Sequence, residues 1–427
     1  MPEKLIRDPV HDVIAFRVDR HEDALLFRLI HADEFQRLRR VRQLGMASLA
    51  YPGADHSRYS HSIGVMETAR KMLDRLGDHY PIDPAERIAC LAAALLHDLG
   101  HGPFSHVFER VSGVDHEAVT GRVILDESGS IHRLLSGHDA DLPHRVARLL
   151  RHDSPPWSYI DDVLSSQLDA DRLDYLLRDN LMTGSGYGGY DLPWLLQAMT
   201  IDQTSRRLAI QWKGVSAVEA YLQARYHMYR NVYFHKVVRS AEGMVKLALQ
   251  RARRLAVQGR LRWPPREHPV TRTLLGLTLS NREFTDLDDI AVMHCFKEWS
   301  GSDDPTLAKL CGGLLYRRLF KCIDLSRRDP PDAAKVVADA WQAIEHAGGD
   351  PSYEMFFDEV ADTPYKTYAP DTGDAGSEIL VIDDAPGGRR LVEFASVSPA
   401  AAALNRQLVY RRLHVSPEFR HVVPPAC

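Results

Sequence analysis

Cysteine is scarce and scattered: five residues, at positions 90, 295, 311, 322 and 427, with no CxxC pair. An odd, dispersed set excludes a disulfide scaffold and fits a reduced compartment. Long apolar runs are missing too. No window of about 18 residues is apolar enough to span a bilayer. The opening Met1-Pro2-Glu3-Lys4 leads into charged sequence with no apolar signal core. A cytoplasmic protein without membrane partners is the expectation. Neither sign of charge dominates, since 53 Lys and Arg face 58 Asp and Glu for a net charge of −5. A broad nucleic-acid-binding surface is therefore not favoured, although a local basic cleft stays open. Internal repeats and low-complexity tracts are absent. What remains is an ordinary globular composition, 44% hydrophobic and 26% charged over 427 residues, enough for two or three domains or one large one.

Histidine, by contrast, is abundant. There are 21, and seven of them (56, 61, 79, 97, 101, 106 and 116) fall within 61 residues. Histidine is the commonest metal ligand and titrates near neutral pH. Around this cluster the chain reads as mainly helical. Residues 4–20 alternate loosely and predict two short strands or an extended arm. From 21 to 200 apolar residues recur at spacings of three and four. Asp83-Pro84-Ala85-Glu86 is a helix start, with an N-cap Asp, Pro at the first position and Glu at the third. Its Ala-rich helix runs to Leu99-Gly100 and predicts close packing. Residues 206–213 read as a hairpin strand and 215–255 as one long helix. Residues 259–273 read as a linker, with further helices at 285–300, 304–324 and 331–346. A loop is expected over 363–377 and strands from 378 onward.

Four side chains have the chemistry for one divalent ion: His61, the adjacent His97 and Asp98, and Asp171. A mixed imidazole–carboxylate set suits Mn, Fe, Mg, Zn or Ni without choosing among them. Three helices converging on one ion is a rigid way to build such a site. A lone His-Asp pair means little, and a single His on an apolar face is usually a satisfied core residue. HDLGHGPFSH (97–106) differs, because it packs three histidines, an Asp and two glycines directly after a capped apolar helix. Beside it His101, His106, Glu109, His116 and Glu117 supply acid–base groups. Arg37, Arg39, Arg40 and Arg42 read as a solvated helix face rather than a nucleic-acid patch. Tyr221, Tyr226, Tyr229 and Tyr233 at helical spacing read as packing. GSGYGG (184–189) follows no strand, so it is no phosphate-binding fingerprint and reads as a loop bordering the pocket.

The longer strings QRLRRVRQLG (36–45), YPGADHSRYSHSIGV (51–65), HDLGHGPFSH (97–106), DADRLDYLLRD (169–179) and ARYHMYRNVYFHK (224–236) resemble the deoxynucleoside triphosphate triphosphohydrolase branch of the HD superfamily of metal-dependent phosphohydrolases. The resemblance covers about residues 4–346. It implies a mainly α fold, with an HD-domain helical core and a small α+β C-terminal lobe. The implied divisions are an N-terminal arm (1–20), a metallohydrolase core (21–200), a helical extension completing the nucleotide pocket (201–346) and a strand-bearing lobe (347–427). It implies one divalent metal ion per subunit on His61, His97, Asp98 and Asp171. His101 and His116 match the catalytic histidines, with Glu109 orienting His116. His106 matches a residue near the α-phosphate, and Arg58, Arg172, Tyr175 and Arg225 match triphosphate contacts. Gln43 and Asp179 match holders of the sugar 3′-OH. Leu44 and Tyr233 match the crowding that excludes a 2′-OH. Tyr229 stands at a base-contacting position where some members have His.

The resemblance further implies a homo-oligomer, dimer or tetramer, with a nucleotide activator between subunits. Gln36 and Arg39 match that regulatory site. Arg7 and His31 replace the Asn and Asp that read guanine, which argues against guanine-specific activation. The expected reaction converts a dNTP to deoxynucleoside and inorganic triphosphate. Two rivals stand beside it. One is an HD phosphohydrolase acting on another nucleotide or on single-stranded DNA ends. The other is a nucleotide-binding sensor with little turnover.

Overall fold

The period-2 pattern at the N-terminus folds into an antiparallel hairpin, β1 (Glu3–Asp8) and β2 (Asp12–Arg17), with Ile14 and Phe16 buried and Asp12 and Val13 facing out. The computed structural model describes residues 3–151, 157–363, 378–384, 388–405 and 407–423, without the side chains of His106, Asp362, Ala402 and Ala403. The expected loop over 363–377 therefore lies outside the described residues beyond position 363. Helices dominate the rest. The Pro84–Leu96 helix starts as its sequence dictates, with the Asp83 carboxylate accepting from the Ala85 and Glu86 amides. From Ile88 to Leu96 every residue is buried. Its alanines let neighbouring helices approach closely, and each fully buried leucine contributes about 1.5–3 kcal/mol. This helix packs on the Arg58–Gly77 helix, which packs in turn on the Ala170–Thr183 helix. The three form the centre of one large hydrophobic core.

Several boundaries differ from the sequence-based expectation. The Pro84–Leu96 helix ends before His97, so His97 and Asp98 sit in the turn beyond it rather than in its last turn. The stretch 215–255 is two helices, Val215–Met228 and Lys236–Val257, separated by a π-helical turn over Tyr229–Tyr233. A π turn widens the helix by one residue, and such turns concentrate at functional sites. The His235 side chain then caps the second helix at the Val237 amide. The helix expected over 304–324 stops at Leu315. Arg317 adopts φ +55° there and the Arg318 amide returns to the Gly313 carbonyl, after which β5 (Lys321–Asp324) begins. The expected linker 259–273 includes the start of a short helix, Pro269–Leu274.

The later strands are stitched back to earlier segments. β3 (Met199–Ile201) and β4 (Leu208–Gln211) form the expected hairpin. β7 (Leu380–Asp383) pairs parallel to β4, and β8 (Arg390–Glu393) pairs antiparallel to β7. β9 (Leu408–Val415) lies between β5 and β6 (Met355–Asp362) in an antiparallel sheet. A second, small core including Ile323, Leu413 and Val415 joins this sheet to the Pro330–His346 helix through Ala333, Ala340 and Ile344.

Of the four arginines read as a solvated face, Arg39 is exposed and Arg40 and Arg42 are half-buried, but Arg37 departs from that reading. Arg37 is 1% exposed. It donates to the carbonyls of Leu99 (3.3 Å), His101 (2.8 Å) and Leu287 (3.0 Å). Arg40 pairs with Asp288, Arg42 with Asp55, and Arg39 lies 3.6 Å from the Tyr59 ring centroid. Helical periodicity cannot distinguish a surface arginine from one whose partners lie hundreds of residues away.

Candidate active site

Two helices and one turn bring the candidate ligands together. His61 projects from the Arg58–Gly77 helix, Asp171 from the first turn of the Ala170–Thr183 helix, and His97 and Asp98 from the turn after the Ala-rich helix. His61 Nε2 lies 2.9 Å from Asp171 Oδ1 and 3.9 Å from Asp98 Oδ2. His97 Nε2 lies 3.2 Å from Asp98 Oδ1 and 3.8 Å from Asp171 Oδ1. Each imidazole is oriented from behind. His97 Nδ1–H donates to the Ala94 carbonyl at 2.9 Å, and His61 Nδ1–H donates to Asp174 Oδ2 at 2.9 Å. Both tautomers are thereby set with Nε2 toward the cluster. His97 Nε2 is buried and has no hydrogen-bond partner. An orphaned imidazole nitrogen facing two carboxylates and a second imidazole is the donor set that a divalent ion requires.

Electrostatics agree with that use. Burial opposes the charge on Asp98, but Arg58, His97 and His101 hold its carboxyl well below the usual range. Burial likewise opposes protonation of His61, yet its bonds to Asp171 and Asp174 raise its pKa to about 10. A proton thus occupies this ring where an ion would displace it. His101 goes the other way. Burial, and then the Arg58 guanidinium, holds it well below the ordinary imidazole range, against the pull of Asp98 at 3.3 Å. It rests neutral, its ring stacked on His116 with centroids 4.0 Å apart. His116 Nδ1 lies 3.1 Å from Glu109, which fixes its tautomer.

The cluster forms the floor of a cavity of about 570 Å³, a size typical of small-molecule sites. Of the residues singled out from sequence, Gln43, Leu44, Arg58, His97, Asp98, His101, His116, Asp171, Arg172, Tyr175, Asp179, Tyr229 and Tyr233 line it. His61 lies behind the wall, 1% exposed. Glu109 stands behind His116, facing a second cavity of about 280 Å³. Arg225 is buried one layer back, its guanidinium carbon 4.9 Å from the Tyr229 ring centroid. The His106 side chain lies outside the described residues. Arg58 is committed to Asp98 (2.6 Å) and to Ser105 Oγ, and Arg172 donates to the Ser166 carbonyl. The loop 184–189 does not line the cavity, because Gly188 N is held by Asn180 Oδ1 at 2.9 Å.

Four residues that brace the site were given no site role by the sequence reading. Asp174 orients His61. His56 holds Asp179 Oδ1 at 2.8 Å while Tyr233 Oη donates to Asp179 Oδ2 at 2.7 Å. Arg37 and Asp289 hold the 97–105 loop, where Phe104 and Ser105 adopt φ +52° and +53°. Two consecutive side-chain-bearing residues in the left-handed region are strained, and Asp289 accepts from the Phe104 amide at 2.8 Å to hold them there. Gly100 is required in the same loop, since a Cβ would lie 1.9 Å from the His116 carbonyl oxygen. The one available signal was local: Asp174 falls three residues after Asp171, on the same helix face.

Comparison with known proteins places these residues in context. The HD domain model matches residues 58–179, and the HD associated region model matches 190–259. The chain is 38% identical to the uncharacterized protein YwfO of Bacillus subtilis over 86% of its own length and 82% of that protein's. It is 33% identical to the deoxynucleoside triphosphate triphosphohydrolase SAMHD1 homolog of Dictyostelium discoideum, over 52% of this chain and 45% of that protein. It is 26% identical to deoxynucleoside triphosphate triphosphohydrolase SAMHD1 of Danio rerio, over 79% of this chain and 59% of that protein. Apart from YwfO, it thus spans about half the length of the curated relatives it matches. The crystal structure of a phosphohydrolase from Bacteroides thetaiotaomicron superposes with a TM-score of 0.81 at 27% identity, covering 97% of this chain and 100% of that one. A hypothetical protein from Aquifex aeolicus shares the fold, with a TM-score of 0.75 at 24% identity, covering 99% of this chain and 100% of that one.

Proposed function

We propose that this chain, which belongs to the HD-domain phosphohydrolases, hydrolyses dNTPs to deoxynucleoside and inorganic triphosphate. The observation that carries the reading is the corner of the cavity built by Gln43, Asp179 and Tyr233. Gln43 Oε1 is buried without a hydrogen-bond partner, and the Gln43 amide is bonded to the carbonyl of His56, whose ring braces Asp179. An unpaired acceptor and a fixed carboxylate lining one cavity suit a hydroxyl group such as a sugar 3′-OH. Leu44 and Tyr233 leave a 2′-OH no polar partner of its own, which disfavours ribonucleotides.

His61, His97, Asp98 and Asp171 would hold one divalent ion. An ion bound there would supply Lewis-acid polarisation of a phosphoryl oxygen. The chain's own residues do the remaining work. Arg172 and Tyr175 line the wall toward the phosphate tail, and Arg58 keeps Asp98 ionised. Water oxygen attacks the α-phosphorus and the Pα–O5′ bond breaks. His101, neutral at rest, accepts the water's proton, and the stacked His101–His116 pair returns a proton to the departing O5′. Glu109 keeps His116 in the tautomer that this transfer needs. A homo-oligomer with a nucleotide activator belongs to the same reading. In support, Arg7, His31 and Arg39 share a separate cavity between the N-terminal hairpin and the His21–Ile30 helix.

The test is a product panel. Purified protein is incubated with each dNTP and each NTP, with Mn²⁺ or Mg²⁺ and with added nucleotide activators. Deoxynucleoside and triphosphate from dNTPs, with NTPs spared, is the expected result. No cleavage of any dNTP under these conditions, or equal cleavage of NTPs, counts against the reading.

A further inference from the structure

The turn of the N-terminal hairpin reaches the buried side of the ligating cluster. Asp8 closes β1, and its Oδ1 accepts from the amides of Val10 (2.9 Å) and His11 (3.0 Å), which shapes the turn that presents His11. Lys71 Nζ lies 3.1 Å from His11 Nδ1. An ammonium can only donate, so Nδ1 accepts and the ring carries its hydrogen on Nε2. That Nε2–H donates to Asp174 Oδ1 at 2.9 Å. The other oxygen of Asp174 accepts from His61 Nδ1 at 2.9 Å. Arg178 lies between the two carboxylates, bonding Asp174 through Nε (2.7 Å) and Nη2 (2.8 Å) and Asp8 through Nη1 (2.8 Å). His11 and Asp174 have fully buried side chains, as does Arg178. The network lies flush against the helix that carries His61, because a Cβ on Gly64 would fall 2.0 Å from Asp174 Oδ1.

Taking the metal reading of the cluster as given, we propose that Asp8 and His11 are positioning residues of the metal centre. They fix the carboxylate of Asp174, which sets the tautomer and direction of His61, so the hairpin turn sets how tightly the ion is held. Four charged or polar side chains buried this deeply need all their partners, and removing one leaves the others free to turn. Asp174 without His11 keeps the two bonds from Arg178 but loses one of the two bonds on its Oδ1, which weakens its hold against rotation away from His61. Partners behind a ligating imidazole typically govern metal affinity by about 10- to 100-fold.

The experiment measures binding of Mn²⁺ alone to the chelator-stripped full chain, by competition with a fluorescent chelator. Circular dichroism and thermal melts report folding in parallel. Wild type is expected to bind one ion per chain. His11→Ala and Asp8→Asn should fold and bind about 10- to 100-fold more weakly. His11→Gln should recover much of the loss, since its amide N–H reaches where Nε2–H was. The visible bands of bound Co²⁺ should shift in His11→Ala and return toward wild type in His11→Gln, which a merely structural role would not produce. If His11→Ala fails to fold, the near-isosteric Asp8→Asn variant decides the matter alone. Folded His11→Ala or Asp8→Asn protein that binds Mn²⁺ as tightly as wild type, with unchanged Co²⁺ bands, overturns this inference and leaves the metal reading intact. A wild type that binds no Mn²⁺ overturns the metal reading and this inference with it.

Discussion

A single ring, His61, shows how the site trades a proton for an ion. In the metal-free protein its pKa stands near 10, because Asp171 and Asp174 outweigh the cost of burial. Its folded value lies above the ordinary 6.5, so this contribution to stability is fully present below about pH 6.5 and is lost as pH rises toward 10. An ion needs the neutral ring. Binding of Mn²⁺ at pH 7.5 should therefore release about one proton per ion, and affinity should weaken about tenfold for each pH unit of acidification. Calorimetry in buffers of different ionisation enthalpy counts the protons. Release of none would contradict the arrangement described here. Asp98, already ionised beside Arg58, adds nothing to that count.

At the scale of elements, two features make predictions of their own. The 97–105 loop is held by the guanidinium of Arg37, which donates to the Leu99 and His101 carbonyls within it and to Leu287 outside it, and burial pulls the pKa of Arg37 down to about 10. Arg37→Met leaves those acceptors buried and unpaired, at about 1–3 kcal/mol each. Urea unfolding should show a loss of about 3 kcal/mol or more, and turnover should fall because His101 is one of the three residues released. A change under 1 kcal/mol would show that the loop holds itself. The second feature is β9, the central strand of its sheet. His414 is fully buried on it, stacked on Phe356 with centroids 4.7 Å apart, and neither ring nitrogen has a hydrogen-bond partner. Burial lowers its pKa from 6.5 to about 4. The unfolded chain then takes up a proton that the folded one refuses. Stability is full above pH 6.5 and drains as pH falls from there toward 4. At pH 5 the loss is about 2 kcal/mol relative to neutral pH. His414→Phe should remove that part of the pH dependence in urea melts at pH 5 and 7.5, and an unchanged dependence would assign it to other groups.

For the molecule as a whole, what was legible from sequence was what is local. Asp83-Pro84 announced a helix that starts at Pro84. Alternation announced the hairpin of β1 and β2. The histidine-rich string after a capped apolar helix announced the turn that places His97 and Asp98 near His61 and Asp171. What stayed hidden depends on distance along the chain. Arg37 meets Leu287 across 250 positions, His11 meets Asp174 across 163, and His56 meets Asp179 across 123. No periodicity encodes such pairings, and a buried arginine has the same letter as a solvated one. The π turn at Tyr229–Tyr233 was hidden for a different reason: its residues suit an α-helix, and only packing around the cavity decides the wider turn. Strands β7 and β9 were readable as strands, but their partners β4, β5 and β6 were not.

The central claim is that water attacks the α-phosphorus of a dNTP held over this cluster. Hydrolysis in ¹⁸O-labelled water, with mass analysis of both products, tests it directly. The account predicts one ¹⁸O in the released triphosphate and none in the deoxynucleoside. Label in the deoxynucleoside, or release of deoxynucleoside monophosphate with pyrophosphate, would contradict it.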